Sequence, residues 1–88
     1  MYFVYIIKSE ITNKYYIGCT SNLEKRFEQH NKGENYSTKK YVPWKLICYS
    51  IFLEQKEAFN YEKKVKSYKG GNAFKRIINK QTKDWVFV

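Results

Sequence analysis

Arg26 and His30 stand four residues apart, a spacing that stacks two side chains on one face of a helix. Arg26 is one of only two arginines, the other being Arg76; the remaining 15 basic residues are lysines. A guanidinium is a planar fork matched to phosphate oxygens. His30 is the single histidine, and so the one side chain whose unperturbed pKa lies near neutrality. The plain alternative is a solvated basic helix face. Two phenols join this pair. If residues 2–8 and 14–19 form a hairpin with its tip near Glu10-Ile11, residues whose numbers sum to 21 face each other. Tyr5 then lies opposite Tyr16, on one face, with Cβ atoms roughly 5 Å apart. As ordinary core aromatics the two would need no further role.

Glu62 is the oddest residue of the set. It follows Ala58 by four and precedes Val65 by three, which puts a carboxylate on the apolar face of a helix. A buried charge there needs a cation, a metal or a hydrogen-bond partner. A salt bridge to a lysine would satisfy it without any chemistry. Glu54 and Glu57 sit near the start of the same helix, where its dipole is explanation enough. Together these groups form a nuclease inventory: an oxygen ligand for a metal, a guanidinium for phosphate, and phenols and an imidazole to move protons.

Composition narrows the choice. The chain of 88 residues carries 17 Lys+Arg against 8 Asp+Glu, a net charge of +9, which favours anionic partners and phosphate backbones first. Asp84 is the sole aspartate beside seven glutamates, so a site built from clustered aspartates around two metals is hard to assemble. Cys19 and Cys48 form no CxxC pair and, with one histidine, cannot supply four zinc ligands. Isolated cysteines in apolar runs read as free thiols in a reducing, cytoplasmic setting. The longest near-apolar run, Leu46 to Leu53, is far below the roughly 20 residues needed to cross a bilayer, so no membrane partner is expected.

The elements that must position these residues follow from pattern. Residues 2–8 are β-branched and aromatic and read as a strand, and residues 14–19 as its hairpin partner. Ser21-Asn22-Leu23-Glu24 has the capping-box form, with Ser21 at the cap, and Gly33 supplies the stop. Residues 34–43 read as a polar, basic loop. Its Tyr36, Lys39, Lys40 and Tyr41 suit stacking and phosphate contacts. Trp44 to Leu53 is a third strand, with Pro43 at its entry. Gln55 to Lys69 reads as a second helix on the Ala58, Tyr61, Val65, Tyr68 stripe. Asn72 can cap a short third helix that buries Phe74, Ile77 and Ile78, and the apolar tail from Trp85 to Val88 should dock on the rest. The expected fold is α+β over one domain, residues 1–88. A small three-stranded antiparallel sheet is flanked by helices in the order β-β-α-β-α-α.

A family resemblance adds to this. Tyr16-Ile17-Gly18 resembles the second half of the GIY-YIG signature, and Phe3-Val4-Tyr5 stands where the first half should be. The run from Tyr16 to Asn31 resembles that family's strand and arginine-bearing helix, and Glu57 to Lys66 its later helix with the metal-binding glutamate. The likeness spans about residues 2–78 and is nearest to the small standalone members. It implies an endonuclease hydrolysing one strand of nucleic acid per active site, DNA more than RNA, with one Mg2+ or Mn2+. It implies catalytic roles for Tyr5, Tyr16, Arg26 and His30 and a metal ligand in Glu62, with Asn72 as a further candidate at a variable spacing. Phe3 departs from the family by replacing the first motif glycine. The rival expectation is a nucleic-acid-binding module with little or no cleavage. The five principal residues should line one concave surface, and Glu62 on the far side of the sheet from Tyr5 would end the nuclease reading.

Overall fold

A computed structural model describes residues 1–68 and 70–88. The first apolar run forms β1 (Tyr2–Ser9), which turns back into β2 (Tyr15–Thr20) as an antiparallel hairpin. The pairing sets Tyr5 opposite Gly18 and Ile7 opposite Tyr16, so paired residues sum to 23 rather than 21. The turn explains the shift. The Ser9 hydroxyl accepts the N–H groups of Ile11 (3.2 Å) and Thr12 (3.3 Å), and Ser9 N–H bonds the Lys14 carbonyl at 2.9 Å, which centres the turn between residues 11 and 12. A slip of two leaves every side chain on its expected face, whereas a slip of one would have inverted them all. Tyr5 and Tyr16 are therefore diagonal neighbours on one face rather than directly opposed.

The next element is α1 (Leu23–Asn31). Its cap is Asn22, whose side chain accepts the Lys25 N–H at 3.1 Å, not Ser21. Strand pairing runs as far as Thr20, and the Thr20 hydroxyl then accepts the Asn22 N–H, so the chain has turned only by residue 22. Gly33 ends the helix at φ +74, a left-handed position that suits glycine. The basic loop includes a short 3-10 helix, Lys39–Tyr41, before β3 (Trp44–Phe52). Then come α2 (Gln55–Lys66), α3 (Asn72–Ile78) and β4 (Val86–Phe87). Helix α2 itself ends at Lys66, with Ser67 as its C-cap and a turn through Tyr68, so it stops short of the expected end at Lys69, a residue outside the described ones. Gly71 caps α3, and Asn72 is its first helical residue with no capping hydrogen bond.

The sheet has four strands in the order β2-β1-β3-β4, all pairs antiparallel, not three. The added strand is the apolar tail. Val86 and Phe87 pair with Tyr49 and Cys48, Val88 N–H bonds the Ile47 carbonyl, and the Ser50 hydroxyl holds the Asp84 carbonyl at 2.5 Å. Two residues are too few to be distinguished from a docking tail by pattern.

Side chains alternate across β1 and build two cores. Val4 and Ile6 pack with Cys48, Ala58, Val65, Phe74, Ile77 and Trp85, so α2 and α3 cover that face. Tyr5 and Ile7 pack with Trp44, Leu23 and Phe27, so α1 covers the other. The sheet thus lies between the helix that carries Arg26 and the helix that carries Glu62.

Candidate active site

Tyr5 projects from the middle of β1 onto the α1 face and is fully buried. Its ring lies across the neighbouring strand at Gly18. A Cβ built on Gly18 would overlap the Tyr5 hydroxyl and ring, so only glycine lets the phenol reach over β2. The sequence showed this glycine inside a strand, the usual sign of a close approach, but not what approaches it. Because β2 is the sheet edge, the hydroxyl arrives at the rim of the molecule.

There it meets α1. Tyr5 Oη lies 2.8 Å from His30 Nε2 and accepts from Arg26 Nε at 3.4 Å. The i, i+4 spacing delivers Arg26 and His30 to one phenol, and that phenol lies inward. The solvated basic face is thereby corrected for His30, which is fully buried, while Arg26 is half-buried. Tyr16 completes the cluster, its ring centroid 4.9 Å from that of His30 and 6.4 Å from that of Tyr5. Arg26 and His30 also line a small cleft of about 150 Å³ with Gln29, Glu34 and Asn35.

The electrostatics of the pair are opposed. Burial drives the Tyr5 phenol up to about 12, outweighing the hydrogen bond from Arg26 that favours its anion. Burial, helped by the Arg26 charge, drives the His30 imidazole down to about 4. At neutral pH the site therefore holds a neutral phenol, a neutral imidazole and a charged guanidinium. A standing Tyr5 phenolate does not fit this surrounding.

Glu62 stands apart from the four. It lies on the inner side of α2, as its spacing indicated, with the side chain 19% exposed, and its carboxylate bonds Lys66 Nζ at 3.1 Å. Helix α2 covers the opposite face of the sheet from Tyr5, so the expectation that all five residues line one surface fails for Glu62, and its helix lies on the side set out above as ending a nuclease centre built on that carboxylate. Helix α2 packs on both β1 and the edge strand β2. Burial is the main cause that raises the Cys19 thiol, on the α2 side of β2, and the Tyr5 phenol; the Glu62 charge adds to both, and at Tyr5 it acts least of all the neighbours. Among the described residues no three His, Cys, Asp or Glu side chains gather into a metal cluster.

The remaining candidates are scattered. Tyr36 is 79% exposed, with the Lys39 ammonium over its ring at 4.7 Å, and Lys40 is exposed beside it. Tyr41 is half-buried edge-on against Trp44, so it is not the open stacking platform expected of it. Asn72 is exposed on α3 and bonds none of the others. Thr38 and Asn31 were not legible as site residues. Thr38 is buried with its hydroxyl 2.8 Å from His30 Nδ1. Asn31 clamps the Trp44 backbone from both sides, accepting its N–H at 2.5 Å and donating to its carbonyl at 3.1 Å. Nothing in a run of polar loop residues marks the one that turns inward.

Among the described residues, no helix is long and apolar enough to cross a membrane. The family model of the GIY-YIG catalytic domain matches residues 1–83. The chain is similar to UPF0213 protein CPE1444 of Clostridium perfringens, 33% identical over 85 residues that cover 96% of this chain and 90% of the relative. It is also similar to UPF0213 protein SH2523 of Staphylococcus haemolyticus, 35% identical over 78 residues, covering 86% and 93%. No solved structure matches at comparable significance. A buried tyrosine of the first strand, laid over the glycine of Tyr16-Ile17-Gly18 and held by an arginine on the following helix, thus sits inside the matched span, and the chain belongs to the GIY-YIG nuclease superfamily.

Proposed function

We propose that the protein is an endonuclease that hydrolyses phosphodiester bonds in nucleic acid, DNA in preference to RNA, one strand per site, with one Mg2+ or Mn2+ ion. The observation that carries this reading is the Tyr5 hydroxyl held between Arg26 Nε and His30 Nε2 at the sheet rim. The free thiols Cys19 and Cys48 fit a reducing cytoplasm.

The donor set suits a water-rich ion. Mg2+ keeps several waters and needs only one or two carboxylates, so Glu62 alone is a sufficient anchor, whereas a closed protein cage is not available among the described residues. The bridge to Lys66 is a single contact to a lysine that is itself half exposed, and is weak competition for a dication. When bound, the ion would neutralise phosphate charge and polarise the phosphoryl group.

The protein's own residues supply the rest. Arg26 donates to Tyr5 through Nε, which leaves its terminal nitrogens to hold phosphate oxygens and the charge that grows on them. Tyr5 acts as a relay. The attacking water gives a proton to the phenol oxygen as the phenol passes its own to His30 Nε2. A new P–O bond then forms, the bond to the leaving oxygen breaks, that oxygen takes a proton from solvent, and the proton on His30 Nε2 returns to solvent through the Tyr5 oxygen, which resets the site. No phenolate need exist beforehand, which suits a phenol that burial holds near 12. Tyr16 packs against the His30 ring and helps hold the imidazole in line with the phenol.

The second reading is a nucleic-acid-binding module without cleavage. It is favoured by the placement of Glu62 on the opposite layer and in a lysine bridge. Labelled DNA and RNA incubated with and without Mg2+ or Mn2+ separate the two, using wild type, Tyr5→Phe and Glu62→Gln. Hydrolysis predicts metal-dependent cleavage lost in both variants, with metal-free binding retained or improved in Glu62→Gln because a negative charge near the phosphate is gone. Undiminished cleavage by Glu62→Gln would sink the single-metal assignment, and binding without cleavage by wild type favours the second reading.

A further inference from the structure

Thr38 comes from the basic loop, far from the strands and helix that carry the other groups, yet it is 1% exposed and its hydroxyl reaches His30 Nδ1 at 2.8 Å. His30 is therefore gripped at both ring nitrogens, by Tyr5 on one side and Thr38 on the other. Which nitrogen carries the proton follows from counting donors. Arg26 Nε can only donate, so the Tyr5 oxygen already accepts one hydrogen and has its own to place. His30 Nε2 is the acceptor within reach of that hydrogen. The imidazole proton then sits on Nδ1 and goes to Thr38 Oγ1, and the Thr38 hydrogen goes to the Asn35 carbonyl at 3.5 Å. The opposite tautomer would turn two N–H donors on the Tyr5 oxygen, leave the phenol hydrogen without an acceptor, and take the Thr38 hydrogen away from Asn35. With Tyr5, His30 and Thr38 all buried, the arrangement that satisfies every proton prevails.

We infer that Thr38 is a positioning residue, which fixes His30 with its proton on Nδ1 so that Nε2 presents a lone pair to Tyr5. The role is possible because Thr38 is itself held: its carbonyl accepts the Trp44 indole N–H at 3.0 Å, and its backbone N–H bonds the Asn35 carbonyl at 3.1 Å. The loop thereby reaches the site through a buried hydroxyl, while its exposed Lys39 and Lys40 point outward. The inference rests on the relay reading for its catalytic consequence but not for its geometry.

The single histidine makes the test clean. Long-range proton–nitrogen correlation on 15N-labelled protein at neutral pH reports both ring nitrogens directly. The expected spectrum has a protonated, pyrrole-type Nδ1 and a pyridine-type Nε2. A pyrrole-type Nε2 in the wild type overturns the inference, and this needs no variant to fold. In Thr38→Val the hydroxyl is gone and the Nε2-protonated form should appear, while Thr38→Ser should keep the wild-type pattern. An unchanged tautomer in Thr38→Val overturns the inference as well. Metal-dependent DNA cleavage should fall about 100-fold in Thr38→Val, the scale of one lost proton-transfer partner, and recover in Thr38→Ser. Full activity in Thr38→Val counts against the positioning role. If the wild type shows the expected tautomer and cleaves nothing, the hydrolase reading fails and the Thr38 assignment stands.

Discussion

The relay proposed for this site needs its one histidine neutral, and a histidine held neutral by the fold has a measurable consequence for stability. In the unfolded chain His30 takes up a proton near pH 6.5, whereas in the folded protein burial and the Arg26 charge hold it to about 4. Between those values the unfolded state binds the extra proton, so stability falls as the pH is lowered through the interval and is fully present above it. A depression of that size corresponds to on the order of 3 kcal/mol lost by pH 4. His30→Gln keeps a polar side chain in the pocket but does not titrate. Urea unfolding of both proteins at several pH values from 7 to 4 should show the wild type losing stability relative to the variant across this window. Parallel curves would mean that His30 is not held neutral by the fold.

Helix α1 carries two of the four clustered residues, and its start decides where they point. The capping-box form Ser21-Asn22-Leu23-Glu24 suggests Ser21, while Asn22 makes the bond to Lys25 N–H. Asn22→Ala should therefore cost about 1 kcal/mol in unfolding free energy, and Ser21→Ala, at an exposed position, close to nothing. A larger loss for Ser21→Ala in urea titration would reverse the assignment. Local pattern located the helix but not its cap, because both residues are good caps and the choice was made by where β2 stops pairing. The hairpin shows the same division. Alternation put Tyr5 and Tyr16 on one face, while the two-residue slip came from the Ser9 side chain capping the turn. The i, i+4 spacing of Arg26 and His30 was legible, as was the carboxylate on the inner side of α2. The long-range features were not. Thr38 reaching His30, Tyr41 packing on Trp44 and the tail closing the sheet as β4 each depend on which loop residues turn inward, and no short-range period encodes that.

At the scale of the whole molecule the net charge of +9 favours anionic partners and speeds encounter with them, but the field alone does not say which face binds. In the proposed reading the loop of residues 34–43 is the contact, because it projects Lys39 and Lys40 into solvent with exposed Tyr36, while its inward residue Thr38 ends at His30. If both lysines neutralise phosphates, Lys39→Ala with Lys40→Ala removes two counterion-releasing contacts. The slope of log K against log salt should then flatten by about 2 for duplex DNA, with weaker binding at every salt concentration. A matched control separates contact from field. Lys63→Ala with Lys64→Ala removes the same charge from exposed positions on α2, in the layer opposite α1. Contact at the loop predicts a large change in slope for the first pair and a small one for the second, measured by fluorescence anisotropy across a salt series without metal. Equal changes in both would mean that the protein is held by its overall field. An unchanged slope in the loop variant alone would move the phosphate path elsewhere, toward the rim where Arg26 and Tyr5 meet.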